Sequence, residues 1–115
     1  MINRLLLVPR SLVNSEFVSE AGLTTVVVGD PVAVKPIAWP NDRVGSCYAF
    51  VLSMNLSEWA TVKKTIIDKF DTCTILNFKE TPEQVKSKQK TDLKLLTPQI
   101  PDLLSSVGLE IHPNS

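Results

Sequence analysis

Cysteine and histidine are scarce in this chain: two and one among 115 residues. Cys47 and Cys73 form no CxxC pair, and the lone His112 is a poor complement for a zinc site. No metal and no cofactor is therefore expected. A thiol nucleophile assembled from either cysteine and His112 would need an electropositive, partly exposed setting. Both cysteines instead fall in apolar runs, where a thiol behaves as a small hydrophobe. Gly29-Asp30-Pro31 lacks the glycine spacing and the lysine of a phosphate loop. The acidic residues are scattered, with no pair placed for general acid–base work.

An excess of one charge is also missing. Twelve basic and twelve acidic side chains cancel, and neither half of the chain departs from that balance. This argues against a general attraction to nucleic acid or to an anionic membrane. Lys79, Lys86, Lys88, Lys90 and Lys94 resemble a basic stripe, but Glu80, Glu83 and Asp92 dilute it. No arginine accompanies them, so a solvated helix face is the plainer reading. Long apolar runs are absent too. Leu5–Val8 is too short for a signal-peptide core, and Pro9 and Arg10 close it. No stretch approaches a membrane span. A cytoplasmic protein is expected, and reduced cysteines suit that compartment.

What is present is a patterned single domain. Ile2–Val8 is apolar at nearly every position, as in a strand covered on both faces or central in its sheet. Ser11 or Asn14 can cap a short helix with Val13, Phe17 and Ala21 on one face, stopped by Gly22. Thr24–Val34 reads as a strand interrupted by a turn or bulge at Gly29-Asp30-Pro31. Val44–Met54 alternates large and small residues. Tyr48, Phe50, Leu52 and Met54 share one face; Cys47, Ala49, Val51 and Ser53 share the other.

Asn55-Leu56-Ser57-Glu58 spells a capping box, followed at helical spacing by Trp59, Val62, Ile66 and Phe70. Thr74–Phe78 is a further short strand. The order β-α-β-β-α-β predicts an α+β fold for residues 1–78: a ferredoxin-like antiparallel sheet, strand order 4-1-3-2, with helices on one face. Residues 79–115 form a helical extension. Thr81-Pro82-Glu83-Gln84 starts one helix, Pro101-Asp102 a shorter one before Gly108, and Leu109–His112 a terminal edge strand. The small-residue face of Val44–Met54 is apolar and needs cover. Either the extension or a second copy of the chain would supply it.

Trp39-Pro40-Asn41-Asp42-Arg43 is the segment singled out for partner binding. Tryptophan and arginine are enriched at binding hot spots, and Asn41 and Asp42 would offer polar groups at the rim. The competing reading folds Trp39 back onto the sheet and leaves Asn41-Asp42 as a simple turn. Balanced charge and the absence of a convergent titratable cluster point to a small binding protein rather than an enzyme. It would act through a protein partner or as a homodimer, with no nucleic acid and no membrane involved. An accessory or inhibitor protein of viral or mobile-element type fits that description. The alternative is an enzyme or small-ligand-binding protein of dimeric α+β barrel type, in which two sheets enclose a pocket.

Overall fold

The computed structural model describes residues 2–37, 46–79 and 96–111. Strand β1, Ile2–Pro9, leads through a 3₁₀ turn at Arg10–Leu12 to a one-turn helix α1, Phe17–Glu20. Strands β2, Val27–Pro36, and β3, Cys47–Met54, precede helix α2, Leu56–Lys69. Strand β4, Thr74–Asn77, is followed by a 3₁₀ turn at Thr97–Gln99, helix α3, Ile100–Ser106, and strand β5, Leu109–Ile111. Among the described residues, no helix is long and apolar enough to cross a membrane.

The architecture is α+β, with one five-stranded sheet in the order β4-β1-β3-β2-β5 and every pairing antiparallel. A four-stranded ferredoxin-like sheet with its helices on one face was expected, and the structure differs in three respects. β5 adds beyond β2, so the sheet does not end there. The first helix is a single turn and neither Ser11 nor Asn14 caps it: Asn14 Oδ1 accepts from the Glu16 N–H at 2.9 Å in a turn that precedes the helix, the N-cap is Glu16 with no side-chain cap bond, and Gly22 at φ 71° stops the chain soon after. Among the described helices, α3 lies on the opposite face from α1 and α2.

β2 also begins later than its β-branched composition predicts. Val26 and Val27 both donate to the Leu23 carbonyl, which holds Thr24 and Thr25 in a turn. The interruption at Gly29-Asp30-Pro31 is a bulge. Val28 opposes Val51 and Val32 opposes Ala49, so β2 carries two extra residues there. An even insertion keeps Val28 and Val32 on the same face. Gly29 supplies the positive φ, 69°.

The alternation in β3 sorts the core into two layers. Leu6, Val8, Phe50, Leu52 and Met54 pack against Phe17 of α1 and against Val62 and Ile66 of α2. Phe17 is central: its ring lies 5.6 Å from Phe50 and 5.2 Å, edge-on, from Phe70. The capping box of α2 forms as written, Asn55 Oδ1 accepting from Glu58 N–H and Glu58 Oε1 accepting from Asn55 N–H.

On the other face, Leu5, Leu7, Val34, Cys47, Ala49 and Val51 pack beneath Leu96, Ile100, Leu104 and Leu109. The C-terminal segment therefore covers the small-residue face. Small residues suit it, because they let a short helix approach the sheet closely.

Candidate functional site

At the end of the sheet where β1 and β4 meet the start of β3, α3 stops short of sealing the layer. Val107 closes the helix, and Gly108 turns the chain into β5 with φ 77°. An open cleft of about 820 Å³ remains. Leu7, Cys47, Val107 and Leu109 form its apolar floor. Pro9, Arg10 and four hydroxyl-bearing residues, Ser11, Ser46, Thr72 and Thr74, complete the lining. Arg10 is the only charged residue among the described lining residues. It is positioned by the β1–β3 ladder, its backbone N–H donating to the Ser46 carbonyl at 3.1 Å.

The chemistry of the cleft favours holding over reacting. Burial pushes the Cys47 thiol up from its ordinary value, so it stays protonated and weakly nucleophilic. Cys73 is pushed up to about 11, mainly by burial and further by the charges of Cys47 and Asp71. Neither cysteine forms a disulfide. Cys47 stands opposite Pro9 and Cys73 immediately precedes β4, so β1 runs between them. Among the described residues, no group of three His, Cys, Asp or Glu side chains is placed to hold a metal ion.

Trp39, Asn41, Asp42 and Arg43, the partner-binding residues expected from sequence, lie outside the described residues, as do His112 and Lys86–Lys90. The chain leaves the described part at Ile37 and returns at Ser46, and Ser46 lines the cleft. Sequence reasoning missed the cleft because its walls come from four separate segments. The one local signal was the recurrence of small hydroxyl residues just beyond strand ends: Ser11 after β1, Ser46 before β3, Thr72 before β4.

A second polar feature lies under α2. The Arg4 guanidinium sits 5.0 Å from the Trp59 ring centroid, and its Nη1 donates to the Asn3 carbonyl at 2.8 Å. The stacking shelters the charge at the sheet surface and joins β1 to the helix; it reads as structural.

Comparison of the chain with protein-family models, with curated proteins and with solved structures finds no match to any of them.

Proposed function

We propose that this chain is a small binding protein that works through contact with a protein partner, with the cleft at the β1–β4 end of the sheet as its recognition site. The observation that carries this reading is the composition of the cleft. An apolar floor, a ring of hydroxyls and one exposed arginine supply shape and hydrogen bonding around a thiol that burial keeps protonated. That combination resembles the centre and rim of a binding surface. In the sequence, Arg43 precedes the cleft residue Ser46 by three positions.

The test is capture from lysate with a purified bait. Ser46→Trp fills the cleft from an exposed position, and Trp39→Ala with Arg43→Ala removes the two anchors of the neighbouring connection. Both baits should lose the partner that the wild type retains while their thermal melts stay close to wild type. Undiminished capture by the Ser46→Trp bait removes the cleft from the reading.

The volume of the cleft supports a second reading. About 820 Å³ lies within the range of small-molecule sites. Native mass spectrometry of freshly purified protein separates the two, since a small ligand adds a small-molecule mass to the chain and a bound protein adds the mass of a further polypeptide.

A further inference from the structure

The direction of the backbone groups along β4 follows from a single bond on the other side of β1. Arg10 donates to the Ser46 carbonyl in register with the β1–β3 pairing. In an antiparallel ladder both main-chain groups of a residue point the same way, and successive residues alternate. Even-numbered residues of β1 therefore face β3, and odd-numbered ones face β4. Thr74 and Leu76, which stand opposite Leu7 and Leu5, direct their groups inward to β1. Cys73, Ile75, Asn77 and Lys79 direct theirs outward.

The two ends of this outward row are occupied. The Cys73 N–H donates to the Phe70 carbonyl at 3.0 Å. The Lys79 N–H and carbonyl are both engaged by the side-chain amide of Gln99, at 2.7 and 3.1 Å. Between them, the main-chain groups of Ile75 and Asn77 have no hydrogen-bond partner among the described residues. Proteins usually guard such an edge with charge, proline or a bulge. Thr-Ile-Leu-Asn has none of these. The other edge of the sheet is guarded, since Glu110 of β5 is tied to Lys35 at 3.3 Å.

The free row lies symmetrically about Leu76 between the occupied groups of Cys73 and Lys79, so a second copy of the chain matches it donor for acceptor. We propose that β4 pairs antiparallel with β4 of a second copy of this chain, the twofold axis passing through Leu76. Ile75 then exchanges hydrogen bonds with Asn77 of the partner subunit, and every bare donor meets a bare acceptor. An axis between Ile75 and Leu76 fails, because opposed residues share a face while these two pack against different layers. An axis through Ile75 would aim Asn77 at a Cys73 whose N–H is already taken. The interface needs neither the cleft nor an outside partner, so it goes beyond the function proposed above.

The experiment is sedimentation equilibrium of the whole chain over a wide concentration range. The wild-type mass rises from 12.7 kDa toward twice that value. Asn77→Pro deletes an outward donor without touching the β1 ladder, and it keeps the mass at the monomer value. Leu76→Cys is the second arm. Leu76 and its symmetry mate would form a non-hydrogen-bonded pair with Cα atoms about 4.5 Å apart, within disulfide range. Mild oxidation should cross-link Leu76→Cys between chains and leave Asn77→Cys and wild type uncross-linked. A wild type monomeric throughout overturns the proposal. So does a dimer that survives Asn77→Pro, or one that cross-links through Asn77→Cys as readily as through Leu76→Cys.

Discussion

Gln99 closes the end of β4 by imitating a strand: its side-chain amide accepts from the Lys79 N–H at 2.7 Å and donates to the Lys79 carbonyl at 3.1 Å. One side chain thus ties the C-terminal segment to the sheet, where Leu96, Ile100 and Leu104 cover the layer of Leu5, Leu7 and Ala49. Removing the amide should cost little, because the site is exposed. Gln99→Ala is expected to lower stability by about 1 kcal/mol in urea melts. Leu104→Ala, at a position with no solvent exposure, should cost roughly 2–5 kcal/mol. Equal losses would mean that the helix is held by its ends and not by its buried face.

The phase of α2 makes a sharper contrast. Ile66 is 2% exposed and packs in the layer with Phe17 and Phe50, whereas Lys64 lies on the outer face. Ile66→Ala should destabilise the fold by roughly 2–5 kcal/mol, and Lys64→Ala by less than about 0.5 kcal/mol. Urea unfolding followed by the tryptophan signal and by circular dichroism measures both.

At the start of the same helix, Asn55 Oδ1 accepts from Glu58 N–H and from Ser57 Oγ, both at 2.8 Å. Asn55→Ala should therefore cost about 1 kcal/mol in thermal or urea melts. Asn55→Asp keeps the acceptor and adds a charge favourable to the helix N-terminus, so it should cost less.

Cys73 gives a pH dependence with a defined sign. Burial raises its pKa in the fold from 9.0 to about 11. An unfolded chain then ionises the thiol first, and the stability tied to the neutral thiol is complete below pH 9 and lost as pH rises toward 11. The thermal midpoint of the wild type should fall across that window, and Cys73→Ser should fall less steeply. Iodoacetamide labelling of the native protein near neutral pH should be slow at Cys73 and accelerate on unfolding.

The readability of the fold followed the range of the interactions. β3 and α2 are legible because alternation and a capping box are local signals, and each met its expected neighbours. Thr24 and Thr25 misled, since β-branched residues mark strands only until a turn such as that around Leu23 claims their backbone. The cover on Ala49 and Val51 was left open between extension and second copy, because deciding it needs the distant Leu96, Ile100 and Leu104. The cleft was illegible for the same reason, as Arg10, Ser46, Thr74 and Val107 meet only in three dimensions. Trp39 and Arg43 were chosen by residue type, a signal that carries no position.

The central claim is that recognition takes place at the cleft. Amide chemical-shift mapping of the isotopically labelled chain against a library of small apolar and carboxylate-bearing fragments tests it most directly. Fragments that bind should move the resonances of Leu7, Arg10, Ser46, Cys47, Thr74 and Val107 together, and Ser46→Trp should abolish those shifts. Fragments that gather instead along the exposed Leu56 and Ile67 face of α2, or that leave the cleft resonances unmoved, would contradict it.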